Sequence, residues 1–427
     1  MEFLKTVAEA LKVKEIKRKL IFTILMLVVF RIGSNILVPG VNRTTLTQLF
    51  SNSNLGLTEL FNLFSGGSFS NFTVFALGVT PYITASIIVQ LLTVAFPYFE
   101  NLAKEGMEGR KKMNQIMRYM SVVLALIQAF GLTYGLFRRA LINQNWVVYI
   151  SITLILTAGA TFLMWLGEQI NEHGVGNGIS LLIFGGIVSR LPSQIGEIHQ
   201  RVSEGGTSPV TVAILILIAL VVVVAIIAVQ QGERRIPVQY AKRVVGRKMY
   251  GGQSTHIPLK VNQAGVMPII FALSILQFPL IITYFFPGTK FQEFVEKYLS
   301  LAGSPGVWIY AVLNVILIIA FNFFYTAITF NPMEIADSMK QNGGYIPGIR
   351  PGRATVEYLS GVMSRVSIVG AIFLAVIATI PTLVSEYSGL QISFGGTSIL
   401  IMVGVALDTM QQIQNQMLMR NYKGFLK

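Results

Sequence analysis

Cysteine is absent from all 427 residues. Its absence excludes a disulfide framework, a thiolate metal site and a cysteine nucleophile. The only histidines are His173, His199 and His256, too scattered in sequence to form a metal centre. Charge is scarce: 12% of residues are Asp, Glu, Lys or Arg, against about 25% in a soluble domain. No G-x-x-x-x-G-K-[ST] loop, H-E-x-x-H or G-x-S-x-G occurs, which removes the nucleotide-driven and hydrolase classes those motifs mark. The reading is a non-enzymatic protein without metal or cofactor.

What is abundant is apolar sequence, at 53% hydrophobic residues with mean hydropathy +0.63. A bilayer core requires about 20 mostly apolar residues per helix. Runs of that kind lie near 20–38, 72–96, 116–137, 146–168, 178–198, 209–230, 264–286, 305–330, 366–384 and 396–418. The fifth is the weakest, since its apolar part stops near Val188 and Pro192 interrupts it. The expected fold is therefore an all-α polytopic membrane protein with ten transmembrane helices. They divide into an N-terminal half, 1–200, and a C-terminal half, 201–427. An odd number of helices per half makes the halves opposite in orientation, the inverted-repeat plan. No small-residue cleavage site follows the first run, which is read as a retained helix.

Basic residues orient the chain. Most of the 33 Lys and Arg fall in the N-terminal segment, the loops 97–118, 231–263 and 331–365, and the C-terminal tail. The alternate loops hold only Arg43, Arg138, Arg139, Arg190, Arg201, Lys290 and Lys297. That asymmetry places both termini in the cytoplasm. The span interiors hold only Arg31 and Asp408 as charged residues, with Arg118, Glu168 and Arg190 near span ends where long side chains reach the interface. That is too little for the ion or proton path of a coupled transporter.

Two features go beyond a simple bundle. Leu57, Leu60, Phe61 and Phe64 share one helical face, ended by Ser65-Gly66-Gly67, in a helix too short to span. It is either an outer-surface helix resting on headgroups or a stopper in a pore mouth. The loop 231–263 carries Arg234, Arg235, Lys242, Arg243, Arg247, Lys248 and Lys260. Extended runs at Ile236–Tyr240 and Ile257–Val261 flank a turn at Gly251-Gly252. Such a basic finger suits ribosomal RNA phosphates or an acidic protein surface. Positive-inside charge with lipid attraction accounts for it equally well.

Several segments resemble the bacterial SecY family, the central subunits of Sec translocons. They are GVTPYITASIIVQLL (78–92), EGMEGRKK (105–112), GVGNGIS (174–180) and QYAKRVVGRKMYGGQSTHIPLKVNQAGVMPIIF (239–271). FYTAITFNP (324–332), IPGIRPGRAT (346–355) and FGGTSILI (394–401) follow in the family's order. The resemblance implies an hourglass pore between the two halves, with a lateral gate between helices 2 and 3 and helices 7 and 8. It implies a pore ring of Val79, Ile83, Ile179, Ile183, Ile270 and Ile401, and a plug at about 57–67 with Leu57, Leu60, Phe61, Phe64, Gly66 and Gly67. Thr80, Gln90, Gln128 and Gln277 are expected either to form polar contacts across the gate or to serve as structural glue between helices with no gating role, and Val222 is expected to face lipid. Cytoplasmic docking would fall to the basic finger residues and to Arg350. The implied partners are the small membrane subunits SecE and SecG, a SecA motor ATPase, the ribosome, signal peptides, nascent polypeptide and the lipid bilayer. The implied location is the bacterial cytoplasmic membrane. The competing classes are a coupled small-solute transporter and an intramembrane hydrolase. The first lacks midplane coordination sites and the second lacks a catalytic set.

The orientation is tested with single cysteines and a membrane-impermeant thiol reagent. Gln253→Cys is expected to react only from the cytoplasmic side, and Thr289→Cys only from the outer side.

Overall fold

The computed structural model describes residues 12–52, 61–62, 64–204, 208–240, 243–245, 248–250, 254–286, 288–299, 305–388 and 396–424. Helices dominate it. α1 is Lys14–Gly33, α2 Arg43–Asn52, α3 Thr80–Ala95, α4 Pro97–Lys104 and α5 Met107–Gly131. They are followed by α6 Trp146–His173, α7 Gly178–Ser203 and α8 Pro209–Gln231. After a small sheet come α9 Met267–Thr283, α10 Lys290–Tyr298, α11 Gly306–Thr329, α12 Pro332–Gln341, α13 Arg353–Ser388 and α14 Gly396–Gly424.

Among the described residues, 7 helical stretches are long and apolar enough to cross a membrane, and 8 if the bent pair α3–α4 is one span. The protein is thus an all-α polytopic membrane protein. The remaining expected spans are shorter or more polar than that standard. α1 opens with Lys14, Lys17, Arg18 and Lys19, and α9 has 17 residues. α8 is apolar on all sides and mostly exposed, the pattern of a helix surrounded by lipid. α7 runs on through Pro192 to Ser203.

The chain departs from expectation at 72–79, which is not helical. Gly78 turns with φ +56, and Pro81 opens the helix at Thr80. Proline lacks an N–H that the first helical turn would leave unsatisfied anyway, so it starts helices readily. The preceding segment is irregular yet buried, with Phe69, Phe72, Thr73, Ala76 and Leu77 almost wholly covered. Its polar backbone is satisfied from within the protein, as it must be away from water. Val74 N–H donates to Ile36 (2.9 Å), Val38 N–H to Phe72 (3.2 Å), and Thr73 N–H to Ser68 (3.0 Å). Asn62 Oδ1 accepts from Ser70 N–H (3.1 Å), and Ser65 Oγ from Phe69 N–H (3.1 Å).

This segment seats on α6 and α7 at positions that tolerate no side chain. A Cβ on Gly159 would lie 2.0 Å from the Val74 carbonyl oxygen, and one on Gly66 would lie 2.7 Å from Cα of Gly186. Gly66 also has φ +63, a left-handed conformation that glycine adopts without steric penalty.

Helix contacts group the molecule. α1, α3, α5, α6 and α7 interlock, as do α8, α9, α11, α13 and α14. The principal contacts between the groups are α9 with α3 and α5 on one side, and α14 with α7 on the other. A sheet with order β4-β1-β5 stands apart, formed by β1 Glu233–Tyr240, β4 Ser254–Lys260 and β5 Gly344–Tyr345. Ile236 pairs with Ile257 in its antiparallel register. β2 Arg243–Val245 and β3 Lys248–Tyr250 form a separate hairpin.

Gly66→Ala is expected to loosen the seating of 64–79 by at least ~1–2 kcal/mol, the penalty of the left-handed backbone alone. Amide exchange at Ser68 and Phe69 should rise about tenfold, while Gly196→Ala, where a Cβ meets nothing within 4 Å, should leave it unchanged.

Candidate functional site

Branched aliphatics from four helices meet in one buried cluster. Val79 precedes α3, and Ile83, one turn on, donates its amide to the Val79 carbonyl (3.1 Å). Ile179 and Ile183 occupy the first two turns of α7, Ile270 the first turn of α9, and Ile401 the second turn of α14. All six are buried, and all belong to a single apolar core that also takes in Phe30, Phe75, Ile87 and Phe64.

Local structure fixes these positions. Asn177 caps α7 through Oδ1, which accepts from Ser180 N–H (3.2 Å), while Asn171 Oδ1 accepts from Gly178 N–H (2.8 Å). A Cβ on Gly178 would come within 1.9 Å of the Gly167 carbonyl oxygen. The start of α7 is therefore pressed against α6, with Ile179 directed at Gly167. Before α9, Asn262 donates to the Gly265 carbonyl (3.0 Å) and holds the turn that releases Ile270 into the cluster.

The six aliphatic side chains offer no carboxylate, imidazole or hydroxyl, although the wider core they belong to includes the buried Tyr310. The six could not coordinate an ion, and a constriction lined this way would exclude water by dewetting. Among the described residues no group of three or more His, Asp and Glu is placed to hold a metal. Arg31 and Asp408 are not part of the cluster. Arg31 donates to Ser189 Oγ (3.2 Å), and Asp408 lies beside Gly265. The ion pair Arg118–Glu168 (2.7 Å) ties α5 to α6.

Phe61 and Phe64 turn into the protein, each 2% exposed, so these rings do not rest on headgroups. Phe61 stacks on Phe69 at 4.7 Å, and the backbone leaves the helix at Gly66 and Gly67, both with positive φ. Leu57 and Leu60 lie outside the described residues.

The polar residues expected across the α3–α9 seam do not hydrogen-bond across it. Thr80 Oγ1 donates to the Leu77 carbonyl of its own segment, and Gln90 Nε2 donates to Ser86 Oγ (3.2 Å) one turn back. Gln128 Oε1 and both polar atoms of Gln277 are buried without a partner. The helices approach through their apolar faces, which leaves these amides out of mutual reach. Sequence reasoning missed their neighbours on α11, where Tyr310 Oη and Asn314 Oδ1 are likewise buried and unpartnered. An asparagine within the apolar run 306–329 was the available signal.

Val222, expected to face lipid, is half-buried against the apolar core, and the outward position is Val221, 62% exposed. On the polar loops, Arg234 and Arg235 are exposed on β1, where Arg235 pairs with Glu233 (2.7 Å). Arg243 and Lys248 sit on the β2–β3 hairpin, while Lys242 and Arg247 lie outside the described residues. Arg350 is exposed between Gly348 (φ +82) and Gly352 (φ +105). The loops 231–263 and 331–365 are one unit. Ile236, Val238 and Leu259 share a core with Phe330, Leu359 and Met363, and Tyr345 Oη bonds Gln239 (3.1 Å).

A family model described as SecY matches residues 73–410. The chain belongs to the SecY family. The protein translocase subunit SecY of Bacillus subtilis is 46% identical, covering 99% of this chain and 99% of its own length. The subunit of the same description from Mycobacterium tuberculosis is 46% identical, covering 98% of each. Among solved structures, one described as "The structure of a protein conducting channel" matches with TM-score 0.68 at 18% identity, covering 93% of this chain and 92% of its own. Sec61 in the canine ribosome-channel complex matches with TM-score 0.64 at 17% identity, covering 93% and 92%. At such identities the likeness is one of fold. This SecY-family chain thus holds a buried aliphatic cluster together with buried amide atoms of Gln128 and Gln277 that lack partners.

Each buried polar group left unsatisfied costs about 1–3 kcal/mol. Gln277→Leu is therefore expected to stabilise the packing of α9 by about that amount, raising the thermal unfolding midpoint. It should also lower the rate at which a cysteine at Ser274 reacts with a small thiol reagent.

Proposed function

We propose that this chain is the pore-bearing subunit of a protein-conducting channel. It passes unfolded secretory polypeptides across the bacterial cytoplasmic membrane and releases transmembrane segments sideways into lipid. The observation that carries this reading is the apolar collar: Val79, Ile83, Ile179, Ile183, Ile270 and Ile401 from both helix groups, with Phe64 of the irregular segment against it. Such a collar holds no ligand yet deforms around a passing chain, since aliphatic side chains repack at modest expense.

The finer architecture follows from the same observations. α1 and α9 complete ten spans with the eight apolar stretches, and the two interlocked helix groups are the halves 1–200 and 201–427. The segment ending at Gly66 and Gly67 is the plug. The gate is the seam that α9 makes with α3 and α5, where Gln128 and Gln277 lack partners and so favour separation over closure. Both termini are cytoplasmic, as the basic loops require. No nucleotide or ion-coupling site is evident in the sequence, so a partner drives movement. The exposed arginines Arg234 and Arg235 and the turn at Arg350 suit docking of a SecA-type ATPase or the ribosome. SecE-like and SecG-like subunits would pack on the outer helix faces, and signal peptides would enter at the seam.

The test uses the cysteine-free background. Ile83→Cys is expected to form a disulfide with a cysteine in a secretory chain stalled halfway through membrane vesicles, and Val221→Cys is expected not to. Failure at position 83 with a demonstrably stalled chain would remove the collar assignment. If no chain can be stalled, the small-solute transporter takes its place.

A further inference from the structure

The two seam helices each end in a short helix of the same design. α3 breaks at Phe96 and α4 leaves it at 101°, so α4 runs across the direction of the span. On α4, Tyr98, Phe99 and Leu102 share one side, with Glu100 and Lys104 paired on the other (2.6 Å). Leu102 is buried against α5, where a Cβ on Gly109 would strike its carbonyl. That contact leaves Tyr98 64% exposed beside the exposed Phe96. α10 follows α9 with Phe291, Phe294, Val295 and Tyr298 on one side, and Gln292, Glu293 and Glu296 elsewhere. Val295 is buried against Leu280 of α9, while Phe294 remains 54% exposed and contacts Tyr298 at 4.9 Å.

A single buried aliphatic fastens each short helix to the bundle, and the aromatic rings beside it are left uncovered. Rings of this kind, next to a span and opposite a charged face, match the headgroup–acyl boundary of a bilayer. We propose that α4 and α10 lie in the plane of the membrane, immersing Tyr98 and Phe294 in that boundary. They thereby moor the two seam helices to opposite leaflets. The assignment of opposite leaflets rests on the ten-span reading above. The immersion itself does not.

Nitroxide labels at single cysteines replacing Tyr98, Asn101, Glu293 or Phe294 test it, with the protein in lipid nanodiscs and Val221→Cys as the lipid-facing standard. All five positions are exposed, so the core is left intact. Labels at 98 and 294 should relax several-fold faster with oxygen, relative to a water-soluble nickel chelate, than labels at 101 and 293. Equal access to nickel at all four would place the rings in water and overturn the proposal. Exclusion of both reagents at 98 and 294 would mean a protein surface covers them, which overturns it as well. The readout needs no translocation, so failure here leaves the channel reading intact. Failure of the crosslink at position 83 would likewise leave the anchors untouched.

Discussion

Backbone that is not helical can lie among membrane spans only if the protein supplies every hydrogen bond that water would have made. The segment 64–79 meets much of that requirement from within the protein, and the rest of the site depends on it. Its N–H groups find Ile36, Asn62, Ser65, Ser68 and Phe69 as partners, and its Phe72 carbonyl accepts from Val38 N–H. The meeting of Gly66 and Gly186 then lets the chain lie flat on α7. Only with that seat occupied does Phe64 reach the aliphatics of four helices, and only then can α3 begin at Thr80 with Val79 and Ile83 turned inward. A side chain larger than hydrogen at Gly66 would push the segment off α7 and draw Phe64 away from the aliphatic cluster.

The observed packing sets opposed terms of similar size against each other. Burying a branched aliphatic side chain is worth about 1.5–3 kcal/mol, so the aliphatic cluster and Phe64 favour it. An unpartnered buried polar group opposes it by about 1–3 kcal/mol, and such groups occur on Gln128, Gln277, Tyr310 and Asn314. Because several members stand on each side, neither term dominates. A seam sealed by hydrogen bonds or ion pairs would have to break them before its helices could part.

Much of this was legible in the sequence, for reasons particular to each part. Long apolar runs announced α5 to α8, α11 and α14, because a span is decided by local composition. Gly66-Gly67 correctly ended the Phe61–Phe64 helix, since turn chemistry is also local. The start of α3 was misjudged by eight residues because 72–79 is as apolar as a helix. Only Gly78 and Pro81 signalled the break. The meeting of Ile183 and Ile401 in one buried core was invisible to periodicity, since each looks like any other isoleucine in a span. Val222 was misplaced by one position, a rotation of about 100° on a helix apolar all round. The seam failed differently: glutamine in an apolar run signals a buried amide, but not whether a partner lies within reach.

The joining of the two polar loops was also beyond the sequence, and it bears on how the channel is worked. β1 follows directly on α8, β4 leads into α9, α12 follows α11, and α13 begins just after Arg350. Their shared core of Ile236, Val238, Leu259, Phe330, Leu359 and Met363 makes these connections one body. Gly370 of α13 is packed against the Val261 carbonyl, which braces that body onto the bundle. A load on Arg234, Arg235 or Arg350 is therefore delivered to α8, α9, α11 and α13 together. The first five-helix group receives it chiefly across the α9 seam and at α14, where Gln412 accepts from Gly176 N–H (3.1 Å). That bond and the α14–α7 packing tie the groups on one side, while on the α9 side Gln277 and the Gln128 Oε1 are buried without partners.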